Sequence, residues 1–554
     1  MDKDADSDPC KPGQPQTLAS GSGAEAVHDG ADEVLVLSPG VTLTLGQDAL
    51  LMSCQLATKP GRSCLGAGDS ATNGTPSSIP YYNILWAETT DDRRWLVIDY
   101  AHQARQHAEA RKSRFAIPDA AVEQTSAGVG DRDHVAPWVE RLLDRAYAGS
   151  ARRKRAWVLV NPHAGPGGAE KIWEKQVRPI FEAARMPMTV VCTTHSGGAV
   201  DLAKNLNIDD YDIAIPCSGD GLPHEVFNGL AKRPDARRAL SKIAVCHIPC
   251  GSGNAMSCNL YGTHRPSLAA LAIVKGVPTP LDLVSITQGQ QRTVSFLSQA
   301  FGMIAEVDLG TENLRWMGAA RFTYGFLKLA LQKKTYPCDI AVKVEIDHKV
   351  DVKKHYRQQV APASPEYSKS PGQSQDHSGN EESHVSRAAS KSADGDDSPD
   401  LPPLKYGTVM DALPDGWELV PHDKLGSFYC GNMAYMAPDT NFFSAALAND
   451  GLIDLVTIDG DVSPLKAIGL QLSVESGNFF DSPLVKYRKV SAYRIIPRTQ
   501  GTGYISIDGE AIPWEPFQAE VHHGLGLTLS KKGIFEAPGP RDWDTVTITE
   551  RLFA

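Results

Sequence analysis

Two rhythms of apolar residues divide the chain. Short apolar runs at Val34–Leu37, Val41–Leu45, Tyr82–Ala87 and Trp95–Tyr100 are separated by polar loops, and residues 134–150 carry helical spacing. That predicts a small β-rich extension over residues 31–150, after a Gly/Ser/Asp/Pro-rich tail, residues 1–30, with too little apolar content to fold. From Trp157 the rhythm becomes strand, glycine loop, helix. The strands expected are Trp157–Val160, Met188–Cys192, Tyr211–Pro216 and Ile243–Ile248, with helices running to about Arg185, over Ala199–Lys204 and just beyond Asp220. Repeated β-α units predict a parallel sheet over residues 151–280, with ligands at the C-terminal ends of its strands.

After Pro280 the runs become strand-like again, at Leu281–Ile286, Thr293–Leu297, Asp339–Ile346, Phe428–Cys430, Leu452–Ile458, Tyr504–Glu510 and Ala519–His523. A second, antiparallel unit is expected over residues 281–535, and a tail over 536–554. Residues 358–404 interrupt it with Ser, Pro, Asp and Gly and almost no large apolar side chains, the composition of a disordered insertion. Ser364, Ser370 and Ser398 within it each precede proline and are candidate phosphorylation sites.

Charge and cysteine usage narrow the classes. The 554 residues carry 66 acidic and 55 basic side chains, a net charge of −11, which argues against a general nucleic-acid binder. The basic run Arg152–Arg155 reads as a solvated linker or as a contact for phosphates or a membrane surface. The ten cysteines show no zinc-type spacing, as expected of reduced thiols in a cytoplasmic setting. No apolar run is long enough to span a bilayer, so membrane contact is expected to be peripheral.

The chemistry concentrates in three loops. Asn161–Gly168 is a glycine-rich turn between strand and helix, without the Gly-Lys-Ser/Thr of a Walker A loop. Its backbone N–H groups suit a phosphate, though glycine turns also serve simply to reverse a chain. Gly251-Ser252-Gly253-Asn254 has the same two readings. Between them Ser218-Gly219-Asp220-Gly221 places one acid in a narrow turn, and Pro223 suits the first turn of the helix that follows.

In this order and spacing the loops resemble the lipid-kinase family of diacylglycerol kinases and sphingosine (long-chain base) kinases. Leu222 and His224, in Ser-Gly-Asp-Gly-Leu-Pro-His-Glu-Val-Phe-Asn-Gly-Leu, resemble the sphingosine-kinase form, since diacylglycerol kinases usually have Thr at Leu222. Gly302–Leu309, Arg315, Gly318, Arg321, Phe322 and Ile507–Glu510 add to the likeness, which covers roughly 155–355 and 405–530. It implies an ATP- and Mg²⁺-dependent kinase that phosphorylates the primary hydroxyl of sphingoid bases. The alternatives are a diacylglycerol or ceramide kinase and an inactive lipid-binding scaffold. It also implies a three-layer α/β nucleotide-binding unit followed by a β-sandwich that holds the lipid, with peripheral association to membranes.

By resemblance Asp220 is the catalytic base. Asn161, Pro162, His163, Thr193, Glu225, Gly251, Ser252 and Gly253 line the nucleotide, Arg315 and Arg321 neutralise phosphate, and Asp508, Gly509 and Glu510 close the site near Mg²⁺. Ser218, Gly219, Gly221 and Ser298 join Asp220 at the substrate, and Asp308 pairs with the lipid's amine. No metal ligand is assigned. The sequence departs from relatives at Ala164, Pro166 and Ser196-Gly197-Gly198, which bears on nucleotide affinity.

Overall fold

The computed structural model describes residues 33–37, 40–54, 77–118, 132–165, 167–311, 314, 320–361, 400–438, 440–498 and 503–548. Parallel pairing begins where continuous apolar runs meet glycine loops. Ala156–Val160 lies between Met188–Cys192 and Ile213–Ser218, and Ala244–Val245 and Ile248–Pro249 pair further along the last of these. All five residues of Ala156–Val160 are buried, as a central parallel strand covered on both faces requires. The expected strand Ile243–Ile248 is therefore split, with Cys246 and His247 in the break. The first helix also differs, because a π-helical segment, Trp173–Val177, separates Ala169–Ile172 from Arg178–Ala183. One group of helices, Gly198–Lys204, Gly221–Ala231 and Ala236–Lys242, packs together. A second group joins Arg178–Ala183 to Pro266–Lys275.

The C-terminal strands form one large antiparallel sheet, eleven strands among the described residues. Its spine runs Gln291–Ser295, Val277–Gln288, Phe517–Ser530, Lys486–Pro497, Ile453–Asp459, Leu425–Gly431, Ser298–Gly302, Ile505–Ile507 and Glu510–Ile512, and Cys338–Ile346 branches from Lys486–Pro497. Phe517–Ser530 also covers the edge of the parallel sheet, where the Thr528 hydroxyl donates to the Val245 carbonyl at 2.7 Å. The helix Lys349–Val360 extends into the expected insertion, and from its far side Pro402 accepts a hydrogen bond from Arg292. The rest of that segment, with Ser364, Ser370 and Ser398, lies outside the described residues.

Residues 33–148 contribute a four-stranded and a three-stranded antiparallel sheet and the helix Arg132–Ala146. The apolar pattern misses His107–Ala116 because its exposed positions are mostly charged, although it pairs along its whole length with Trp95–Ala104. This extension shares one apolar core with the parallel sheet. Lys275, at the end of Pro266–Lys275, is buried with its amine on the carbonyls of Ile84 and, at 2.9 Å, Ala146, and it lies 3.7 Å over the Tyr147 ring. Arg185 bridges to Glu88 at 2.5 Å and to the buried Asp99 at 2.9 Å.

Candidate active site

Three glycine loops meet at the ends of the parallel strands with no room for side chains. A Cβ on Gly251 would lie 2.3 Å from Gly219 Cα, one on Gly219 would lie 2.9 Å from the Gly253 oxygen, and one on Gly165 would lie 2.7 Å from the Cys250 oxygen. The loop Asn161–Gly168 folds on itself, the Asn161 side chain accepting the His163 N–H at 3.0 Å. Among the described residues the N–H groups of Ser252 and Gly253 donate to nothing, so this floor offers backbone donors of the kind that hold phosphate. Thr193 is buried at the end of Met188–Cys192, while the Glu225 carboxylate accepts the Ala199 N–H at 3.0 Å and so caps a neighbouring helix.

Asp220 stands where these loops converge. Its Oδ2 accepts the Ala255 N–H at 2.8 Å and its Oδ1 the Met256 N–H at 3.0 Å, which fixes the carboxylate at the N-terminus of Ala255–Tyr261. A carboxylate oxygen has a second lone pair, so each remains able to accept from a substrate hydroxyl. Next to it, Glu510 Oε1 lies 3.0 Å from the position of a Cβ on Gly221. The hairpin that carries Glu510 therefore reaches across from the antiparallel sheet to the Asp220 loop.

Asp508, in that hairpin, turns the other way. It has a positive φ of 54° and a side chain that is 0% exposed. Its Oδ1 accepts from the Ser295 hydroxyl at 2.6 Å and from the N–H groups of Leu297 and Ser298 at 3.0 and 2.9 Å. Its Oδ2 accepts from the Phe296 N–H at 3.0 Å and from His224 Nδ1 at 2.8 Å. Asp508 thereby ties the helix Gly221–Ala231 to the antiparallel sheet. Asn228, one turn further on, exchanges hydrogen bonds with both backbone groups of Val294, at 2.8 and 2.9 Å. Burial would lower the His224 pKa, but the Asp508 hydrogen bond and the charges of Asp508, Glu510 and Glu225 outweigh it and hold it above 6.5.

Asp308 lies on the helix Met303–Gly310, its side chain 33% exposed, with the Ser506 hydroxyl donating to it at 3.1 Å. Arg321 reaches this helix, 3.9 Å from the Asp308 carboxylate and 3.2 Å from its carbonyl oxygen. Ser298 gives both backbone groups to Asp508, and its side chain is hydrogen-bonded to Tyr429, which lies within the field of Asp308. The same helix walls a small apolar cavity of about 30 Å³, lined by Met303, Ile304, Phe326, Phe442, Leu470 and Phe479 among others. Arg315 and Gly318 lie outside the described residues. The Gly165, Asp220 and Gly251 loops thus touch one another, with Glu510 beside Gly221, and the side chains of Asp508, Glu225 and Arg321 contact neighbouring structure. His224, Asn228 and Tyr429 join the site without having been predicted. His224 and Asn228 are spaced to share a helix face, the one available signal, but their partners lie in another sheet.

Residues 155–286 match the diacylglycerol kinase catalytic domain, and residues 33–148 match a domain of unknown function, DUF7493. Sphingoid long chain base kinase 4 of Schizosaccharomyces pombe is 34% identical over 460 residues, 83% of this chain and 89% of that protein. The chain belongs to the sphingoid long-chain base kinase family. Sphingoid long chain base kinase 5 of Saccharomyces cerevisiae is 38% identical over 429 residues, which is 72% of this chain and 62% of that relative, less than two thirds of its length. Human sphingosine kinase 1 is 29% identical over 399 residues, covering 69% of this chain and 92% of its own. As a long-chain base kinase, the chain has a parallel sheet and a large antiparallel sheet joined through Asp508 and His224.

Proposed function

We propose that this long-chain base kinase transfers the γ-phosphoryl group of ATP to the primary hydroxyl of a sphingoid base, with the nucleotide over residues 151–280 and the lipid over 281–535. One juxtaposition carries the reading. The fixed Asp220 carboxylate lies between a glycine floor with free N–H donors and a hairpin joined, through Ser506, to Asp308, on the helix whose first turn walls a small apolar cavity. Asn161, Pro162, His163, Thr193, Gly251, Ser252 and Gly253 border the nucleotide. Asp220 orients the lipid hydroxyl and accepts its proton, within Ser218, Gly219 and Gly221. Phosphoryl transfer asks mainly for such positioning and for neutralised charge.

No group of three or more His, Cys, Asp or Glu side chains among the described residues could hold a metal. Mg²⁺, bound with the nucleotide's phosphates, would neutralise their charge. Asp308, with its ionic bond to Arg321 and its partial exposure, faces the lipid's amine. No helix among the described residues is long and apolar enough to cross a membrane, and contact with the bilayer that supplies the base is proposed to be peripheral.

A panel of sphinganine, phytosphingosine, sphingosine, ceramide and diacylglycerol with ATP and Mg²⁺ tests this reading. Long-chain bases are expected to be phosphorylated, and Asp308→Asn should raise KM for the base at least tenfold while leaving KM for ATP within twofold. Turnover of diacylglycerol or ceramide alone, indifferent to Asp308→Asn, would reject the assignment.

A further inference from the structure

Beneath Asp220 lies a buried side chain that the reaction above does not use. The strand before the Gly251 loop is interrupted at Cys246 and His247, and the His247 N–H leaves the ladder to donate to the Tyr261 hydroxyl at 3.3 Å. The break turns the imidazole inward, 0% exposed. Its Nε2 lies 2.9 Å from the Ser218 carbonyl oxygen, which can only accept, so Nε2 bears the proton. In the neutral ring Nδ1 is then a bare lone pair. It has no hydrogen-bond partner among the described residues and lies 3.8 Å from Asp220 Oδ1. Two acceptors thus face each other in a buried site, an arrangement that one added proton would turn into an ion-paired hydrogen bond.

We propose that Asp220 and His247 form a proton-holding pair, His247 being the residue that takes up the charge Asp220 gains during phosphoryl transfer. This rests on the role given to Asp220 above. As the lipid oxygen bonds to the γ-phosphorus, the bond from that phosphorus to the bridging oxygen breaks and ADP leaves with the electron pair. The hydroxyl O–H also breaks, its proton passes to Asp220, and His247 Nδ1 then shares it. A ring tilt of about 1 Å brings Nδ1 and Oδ1 to hydrogen-bond distance. The proton returns to solvent through Asp220 once products leave.

The surroundings leave Asp220 as the charge that faces the ring. Burial pushes the thiols of Cys246 and Cys250 up to about 12, and it raises Cys217 and the Tyr261 phenol well above their usual values, so all four stay neutral. Burial also lowers the His247 pKa below 6.5, against the pull of Asp220 and the Ser218 carbonyl. At neutral pH the ring is ready to accept. In acid it is already protonated and locked onto Asp220, which predicts an acid limb in kcat.

The test compares wild type, His247→Gln and Asp220→Asn for kcat, both KM values and the pH profile, with ATP and sphinganine. Glutamine keeps a donor for Ser218 and removes the second nitrogen. His247→Gln should keep the wild-type melting temperature and both KM values within twofold, lose at least tenfold in kcat and lose the acid limb. An unaltered kcat and limb would overturn the pair, as would a loss of kcat with the limb intact. Full turnover by Asp220→Asn would instead sink the underlying role of Asp220. In the wild-type chain, histidine ¹⁵N shifts at pH 7 should show the Nε2–H tautomer for His247; an Nδ1–H tautomer overturns the proposal whether or not the variants fold.

Discussion

At the residue scale, the buried contact between His224 and Asp508 couples the two halves of the cleft to pH. The folded-state pKa of His224 is raised, so the stability it contributes is fully present below the unfolded value of about 6.5 and is lost as pH rises through the folded value. The amide of Asn228, held by Val294 and 3.2 Å from His224 Nε2, favours the neutral ring, but the carboxylates prevail. Melting temperature should therefore decline from pH 6.5 upward in the wild type, and that decline should vanish in Asp508→Asn. Asp508→Asn should itself cost about 3–5 kcal/mol, because an amide nitrogen would face donors now satisfied by a carboxylate. Denaturant titration checks the magnitude, and a pH-independent wild-type melting temperature would refute the coupling.

At the element scale, the meeting of glycine loops sets the tightest steric limit in the molecule's working parts. In Gly251→Ala the new methyl would overlap the Gly219 backbone, which cannot rotate away as a side chain would. The expected cost is about 1–3 kcal/mol of stability, with KM for ATP raised at least tenfold, to be read by thermal melting and steady-state kinetics. These loops were legible in the sequence because their chemistry resides in local backbone, where glycine is its own signature. Asp220 was legible for the same reason, as the acid held between two glycines. Asp508 was visible as a residue but not as a role, since its direction is decided by donors in Ser295–Ser298, over 200 positions away in the chain. His247 was hidden inside an apolar run, because the break that turns it inward depends on Tyr261. His107–Ala116 escaped the pattern because pairing with Trp95–Ala104, not an apolar alternation, makes it a strand.

At the scale of the whole molecule, residues 33–148 share their core with the parallel sheet. Cutting them away would bare the apolar face of Pro266–Lys275 and strand the buried Lys275 amine, whose burial already draws its pKa well below the usual value, without its carbonyl partners. A chain lacking residues 33–148 should be aggregated or unfolded by size-exclusion chromatography and circular dichroism; a stable, active truncated kinase would show the extension to be dispensable. The strand Phe517–Ser530 has a different consequence, one of timing. It pairs Ser530 with Val277 and covers the Val245 edge of the parallel sheet, so one sheet is finished by a strand that comes much later in the chain. During synthesis the parallel sheet leaves the ribosome with an open edge and waits for more than two hundred further residues, a long loop to close and an exposed interval for a growing chain. A chain ended before Phe517 is therefore expected to leave that edge bare and to show no kinase activity.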